Sequence, residues 1–172
     1  MLFLESTRRG DDGSYQYVKV GPSESQVVFL SKNRPKSVFS FNKGYFDMIR
    51  AVSDSFNVSY HVARSYVSIY LSGEGEEDFS GRVGELVSSS LQEWEREYEV
   101  RQNFMPKSVY LLVEGFLETT FKDILTKKHP ESDVFNMHDI YTEKTGSSID
   151  TNEIGLTLGS YVVSRVIGRD LK

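Results

Sequence analysis

The chain contains no cysteine among its 172 residues. Disulfide bonds and thiolate metal sites are therefore excluded, and nothing favours an oxidising compartment. No stretch of about 18 apolar residues occurs, as a membrane-spanning helix would need. The opening residues, MLFLESTRRGDDG, lack the long apolar core of a signal peptide. These absences predict a cytoplasmic protein with no membrane association.

Sequence signatures of catalysis are also lacking. The three histidines, His61, His129 and His138, do not have the HExxH spacing of a zinc protease, and neither a GxSxG elbow nor a GK[ST] phosphate loop is present. The acidic run GEGEED at 73–78 lacks the regular ligand spacing of a calcium loop, and we interpret it as a solvated linker. We therefore predict a protein that is not an enzyme and needs no metal or cofactor.

The net charge of −5 conceals a division between two parts of the chain. Residues 1–50 contain eight Lys and Arg against five Asp and Glu, whereas residues 51–172 contain 12 against 20. The first part is thus basic, at +3, and the second is acidic, at −8. Charge asymmetry of this kind indicates that the basic part binds a polyanion.

The first 72 residues have the pattern of strands followed by helices. Four short runs rich in Val, Tyr and Phe, at 2–5, 15–20, 26–31 and 37–41, are separated by turn-type clusters and predict a four-stranded antiparallel sheet. Apolar residues at spacings of three and four then predict a helix that begins near Asn42 and ends near Asn57. Ser59 is a candidate N-cap for a second helix.

Beyond the boundary at 73–78 the pattern is helical. We expect helices over about 79–102, 109–128, 132–144 and 152–168. The predicted fold class is α+β, in which a four-stranded antiparallel sheet and a helix are followed by a mainly helical C-terminal region. The predicted domains are a sheet-plus-helix domain at 1–72 and an acidic helical region at 79–172 for oligomerisation or partner contacts.

Residues 1–56 resemble the positive cofactor four and Pur-alpha group of single-stranded nucleic-acid-binding proteins. The stretch LFLESTRRGDDGSYQYVKV is similar to the first hairpin of that group, and NRPKSVFSFNKGYFDMIRAV is similar to its basic turn, short strand and helix. Phe46 stands where the cofactor family has a tryptophan. The resemblance implies a non-catalytic, homodimeric protein that binds single-stranded DNA or RNA and acts in transcription, replication or recombination.

Aromatic and basic side chains are interleaved in this part of the chain, as binding to single strands requires. Aromatic rings stack on unpaired bases, and Lys and Arg neutralise phosphates. The predicted nucleic-acid-binding residues are Arg8, Arg9, Tyr15, Tyr17, Lys19, Lys32, Arg34, Lys36 and Phe46.

Three alternative interpretations stay open from the sequence. Residues 36–71 are compatible with a ribbon-helix-helix domain, whose strand would place Lys36, Val38 and Ser40 against the bases of a duplex. Residues 49–67 are compatible with a helix-turn-helix regulator, although Ser53 and Asn57 depart from its usual small residue and glycine. The acidic half is compatible with an interaction module for a replication or transcription protein, because Trp94 and Tyr98 share one helix face.

Overall fold

The structure is a computed structural model that describes residues 13–32, 34–101 and 105–140. The strand predicted at 2–5, the helix predicted at 152–168 and the candidate residues Arg8 and Arg9 lie outside the described residues. The described strands are β1 Ser14–Val20, β2 Ser25–Ser31, β3 Arg34–Phe41, β4 Ser108–Leu112 and β5 Asp133–Asn136. The helices are α1 Tyr45–Phe56, α2 Tyr60–Ser72, α3 Glu77–Glu99 and α4 Glu118–Lys128, with a 3-10 turn at Gly115–Leu117.

Strands β1, β2 and β3 form a three-stranded antiparallel meander. The register pairs Val18 with Val27 and Val27 with Phe39, so that apolar side chains of successive strands share one face. Lys32 takes a left-handed conformation, φ 50°, in the turn between β2 and β3. The three predicted strands that fall on described residues are confirmed, although β3 begins three residues earlier than predicted.

The first two helices are also confirmed. Asn57 ends α1 in the left-handed conformation, φ 52°, which asparagine tolerates better than most residues. Ser59 is the N-cap residue of α2, as predicted. The cap of α1 differs from the prediction, since it is Gly44 and not Asn42.

The predicted fold class, a four-stranded antiparallel sheet and a helix followed by a mainly helical region, is wrong. Strands β4 and β5 fall where helices were predicted, at about 109–128 and 132–144, and they extend the meander to a five-stranded sheet of order β3-β2-β1-β4-β5. Strand β4 is parallel to β1, and β5 is parallel to β4. The sheet is therefore mixed, and it joins strands from both sides of the acidic boundary at 73–78.

The run VYLL was misassigned because every residue of β4 is buried. A strand that is covered on both faces has a continuous apolar sequence, which periodicity cannot separate from a buried helix segment. The ribbon-helix-helix interpretation is wrong for a related reason. Strand β3, which would have to pair with its twin in a dimer, pairs with β2 of its own sheet.

One face of the sheet carries the main hydrophobic core. Helices α1, α3 and α4 pack there, and Ile49, Val87 and Phe121 are fully buried between them and the sheet. The opposite face carries a smaller cluster of Tyr17, Tyr110, Leu112 and Met137. The sheet thus has an apolar interior on both sides, and the ends of its strands are where side chains can meet a ligand.

Candidate functional site

A crevice of about 380 Å³ lies where β1 and β4 end side by side. Because these two strands are parallel, their carboxyl ends meet at the same edge of the sheet. The turn between β1 and β2, the start of α1 and the residues after β4 complete its walls. In open α/β sheets, ligands bind outside the carboxyl ends of the strands, at the point where the strand order reverses. The order reverses here at β1, which makes this crevice the candidate site.

The β1–β2 turn forms one wall and is held against the start of α1. The backbone N–H groups of Tyr45 and Phe46 donate to the carbonyl oxygens of Gly21 and Pro22, at 3.1 and 2.8 Å. A Cβ atom on Gly44 would lie only 2.2 Å from the carbonyl oxygen of Pro22. Glycine is therefore required at position 44 by the close approach of this turn.

A second wall is built around the carboxylate of Glu114. Arg64 of α2 forms an ion pair with Glu114 and also lies over the Phe116 ring, with its guanidinium carbon 5.1 Å from the ring centre. Burial raises the pKa of Tyr45, and the nearby Glu114 carboxylate raises this pKa further. Burial likewise raises the pKa of Tyr60.

A short hydrogen-bonded chain fixes the segment between β3 and α1. The indole N–H of Trp94 donates to Ser25 Oγ at 2.9 Å, and Ser25 Oγ donates to the backbone oxygen of Lys43 at 2.6 Å. Lys43 also forms an ion pair with Glu93, with Nζ and Oε2 2.7 Å apart. This hydrogen bond raises the pKa of Lys43 and lowers that of Glu93. Helix α3 thus holds the residues that precede Gly44.

The basic residues predicted to bind nucleic acid lie at two ends of the sheet. Lys19 lines the crevice. Through the strand pairing, Lys19 of β1 lies at the same level of the sheet as Ser40 of β3. Lys36 is four residues from Ser40, which is about 13 Å along β3. Lys32 lies in the turn near the same end as Lys36, and Arg34 begins β3. The structure therefore places Lys32 and Lys36 away from Lys19, along the sheet.

The predicted aromatic residues are largely covered by other side chains. Tyr17 is 8 % exposed, and its ring stacks on Tyr110 with centroids 5.0 Å apart. Tyr15 packs against the same ring at 6.3 Å. Phe46 is half-buried and makes an edge contact with Tyr60 at 5.0 Å. These rings contribute to packing within the chain.

The sequence reasoning did not find Tyr45 and Glu114, which line the crevice, or Arg64, which pairs with Glu114. Tyr45, Arg64 and Glu114 come from three separate segments, and nothing in their local sequence links them. Glu114 could have been found only by assigning β4 as a strand, since a polar residue directly after a buried parallel strand stands at the carboxyl edge of the sheet. Gly44 lies in a segment that was read only as a helix start.

Comparison with solved structures places the fold. No protein-family model and no curated protein matches the chain. The PilM-PilN type IV pilus biogenesis complex matches with TM-score 0.62 and 20 % identity, over 80 % of this chain and 40 % of that one. The archaeal actin homolog Ta0583 in complex with ADP matches with TM-score 0.52 and 16 % identity, over 72 % and 45 %. Apo pSK41 ParM matches with TM-score 0.53 and 14 % identity, over 88 % and 43 %.

These likenesses show that the described part of the chain has the fold of one half of an actin-like protein. The chain spans less than half the length of the structures it matches. The predictions of a single-stranded nucleic-acid-binding protein and of a helix-turn-helix or ribbon-helix-helix regulator, acting in transcription, replication or recombination, are therefore wrong. Residues 108–112 and 133–136, which fall in the predicted acidic helical region at 79–172, belong to the common sheet.

Two further features bear on the class of site. Among residues 13–32, 34–101 and 105–140, no group of three or more His, Asp or Glu could hold a metal ion. No helix within the same residues is long and apolar enough to cross a membrane. The crevice of the described chain is thus a polar cleft between strand ends, whose walls are fixed by hydrogen bonds and ion pairs.

Proposed function

We propose that this chain supplies one lobe of an actin-like assembly protein, which acts by binding other proteins. The observation that carries the proposal is the sheet order β3-β2-β1-β4-β5, with β4 and β5 parallel to β1. The PilM-PilN complex is matched over 80 % of this chain at TM-score 0.62. Because only 40 % of that structure is covered, the proposal assigns a lobe and not a complete two-lobed protein.

The proposed partner is a second protein of a multi-protein machine, by analogy with the pairing in the PilM-PilN complex. An exposed face of α2 supports this choice. Val62 and Ile69 are 39 % and 37 % exposed, and they lie seven residues apart, which places them on one side of the helix. Apolar side chains that share an exposed face are typical of surfaces that bind protein. Self-association of the chain stays a prediction.

We also propose that the lobe is not itself catalytic. Its crevice contains Lys19, Glu24, Tyr45 and Glu114 as the ionisable side chains among the described lining residues. Glu114 is paired with Arg64, and burial raises the pKa of Tyr45. The ion pair engages the Glu114 carboxylate, and the raised pKa disfavours formation of a nucleophilic Tyr45 phenolate.

The test measures association with and without the exposed face of α2. The wild-type chain, the double variant Val62→Glu/Ile69→Glu and the control Val100→Glu are compared by sedimentation velocity over a range of concentrations. The same three proteins are titrated by biolayer interferometry against a PilN-type protein from the same genome. Val100 is a matched control because it is 81 % exposed and caps α3, away from α2.

We expect the wild type and the control to associate equally, and the double variant to bind at least about tenfold more weakly, because two charges would be buried at the contact. Equal binding by all three proteins would show that α2 is not the contact. The proposed function fails if the wild type stays monomeric at every concentration and does not bind the PilN-type protein.

A further inference from the structure

The fold raises the question of whether the crevice holds a nucleotide. One of the matched structures, the archaeal actin homolog, is a complex with ADP. The crevice at the carboxyl ends of β1 and β4 is where an open α/β sheet binds its ligand. Phosphate groups need backbone N–H donors or cations directed at them, and they disfavour carboxylates. Each of these requirements can be compared with the residues present.

In the β1–β2 turn and at the α1 start, the backbone N–H groups of Gly21, Gly44, Tyr45 and Phe46 are already used within the chain. Tyr45 and Phe46 donate their N–H groups to Gly21 and Pro22, and Gly44 donates to the Asp47 carboxylate at 3.0 Å. In the turn, the Gly21 N–H donates to the carbonyl of Glu24 at 2.9 Å. Pro22 has no N–H to give. The first helical amides thus face carbonyl oxygens and not a phosphate.

The turn cannot move towards a ligand without breaking these hydrogen bonds. Gly44 brings the α1 start so close that a Cβ would lie 2.4 Å from the carbonyl oxygen of Gly21 and 2.2 Å from that of Pro22. The turn is therefore packed flat on the helix, and its carbonyl oxygens occupy the space in front of the helix N-terminus. A phosphate placed there would meet acceptors instead of donors.

The charges of the crevice act in the same direction. Glu24 and Glu114 line it, and Lys19 is the one Lys or Arg among its described lining residues. The Arg64 guanidinium, which could have faced a phosphate, is paired with Glu114 and stacked over Phe116. The charged side chains of the crevice therefore do not fit a nucleoside diphosphate or triphosphate.

From these contacts we infer that the crevice of this lobe excludes nucleotide polyphosphates, so that assembly by the lobe is independent of ATP and ADP. The inference rests on the proposed function, because it concerns how that assembly is regulated. It departs from the ADP complex of the matched archaeal protein. The cause is local to this sequence: a Pro-containing turn closed over a helix start, and two carboxylates at the mouth.

The test titrates the chain with Mg·ADP, Mg·ATP and inorganic tripolyphosphate by isothermal titration calorimetry and thermal shift. An actin homolog that binds ADP serves as the positive control. The variants are Lys19→Ala, which removes the crevice cation, and Glu24→Gln/Glu114→Gln, which removes both carboxylates. The matched charge control is Glu85→Gln/Glu118→Gln, which removes two carboxylates that do not line the crevice.

We expect the wild type to show no saturable binding of the three probes at concentrations up to about 1 mM. A Kd above about 1 mM corresponds to a binding free energy less favourable than about −4 kcal/mol. A gain of tripolyphosphate binding in Glu24→Gln/Glu114→Gln, but not in its control, would assign the exclusion to the carboxylates. No gain would assign it to the closed turn. Both results agree with the inference.

The inference is overturned if the wild type binds ADP saturably with a Kd below about 0.1 mM and Lys19→Ala weakens that binding at least about tenfold. If ADP binds but no crevice substitution changes the Kd, ADP binds outside the crevice, and that result agrees with the inference. Sedimentation with and without Mg·ATP is measured separately. A chain that neither self-associates nor binds the PilN-type protein contradicts the proposed function, whereas the phosphate titrations still decide the inference.

Discussion

Replacing Gly44 with alanine tests the packing of the crevice turn directly. Gly44 has φ −141° and ψ −176°, an extended conformation that alanine adopts without strain. The new methyl group would instead collide with the turn, since it would lie 2.2 Å from the carbonyl oxygen of Pro22 and 2.4 Å from that of Gly21. Real Cβ contacts are essentially never shorter than 3.0 Å, so the turn must move by about 0.8 Å or more.

The movement of the turn lowers the free energy of unfolding because it breaks hydrogen bonds. The hydrogen bonds from Tyr45 and Phe46 to the two carbonyl oxygens, at 3.1 and 2.8 Å, would lengthen beyond useful geometry. Each backbone hydrogen bond contributes about 1 kcal/mol net to stability. We expect Gly44→Ala to lower the free energy of unfolding by about 2 to 3 kcal/mol, which for a chain of this size lowers Tm by about 4 to 12 °C.

The measurement is urea unfolding followed by circular dichroism, with Gly81→Ala as the matched control. Gly81 lies within α3, and a Cβ there would meet no atom within 4 Å. Because alanine has the higher helix propensity, the control should gain about 0.8 to 1 kcal/mol. If Gly44→Ala is as stable as the wild type, or if both glycines respond alike, the closed turn and the argument built on it are refuted.

Three further predictions concern the core. Burial lowers the pKa of His129, whose Nε2 is 2.8 Å from the Tyr98 hydroxyl. The stability that depends on neutral His129 should therefore be complete above the unfolded pKa of about 6.5, and Tm should fall as the pH is lowered below that value. His129→Gln should reduce this fall in Tm, whereas His61→Gln, at an exposed position, should leave it unchanged. Trp94→Phe should cost about 1 to 3 kcal/mol in urea unfolding by removing the hydrogen bond to Ser25, and an unchanged midpoint would contradict this. Tyr110→Ala should cost about 3 to 5 kcal/mol because its ring is 7 % exposed, and a loss below about 1 kcal/mol would show that the second face is not packed.

Local sequence was sufficient for the elements whose signals are local. Strands β1 to β3 are short runs rich in Val, Tyr and Phe between turn clusters, and α1 and α2 have apolar spacings of three and four. The ends of these helices were predicted from single residues, Asn57 and Ser59, because capping depends on the chemistry of the residue at the cap. These features needed no knowledge of the rest of the chain.

The sequence did not separate a buried strand from a buried helix. Residues 108–112 are apolar enough for either, and what makes them β4 is that β1 offers a free edge for parallel pairing while helices cover the sheet. This pairing joins residues about 93 apart in sequence, such as Tyr15 and Ser108. No window of local sequence contains that information.

The sequence by itself determined the strands β1 to β3 and the helices α1 and α2, because strand propensity, capping and turn chemistry act between near neighbours. Only the tertiary structure decided that the basic residues lie at separate ends of the sheet. It also decided that Tyr45 and Glu114 line one crevice, with Arg64 paired to Glu114. The physical reason is strand direction. Parallel pairing of β4 with β1 brings the ends of two distant segments to one edge, and it is there that this lobe's candidate site forms.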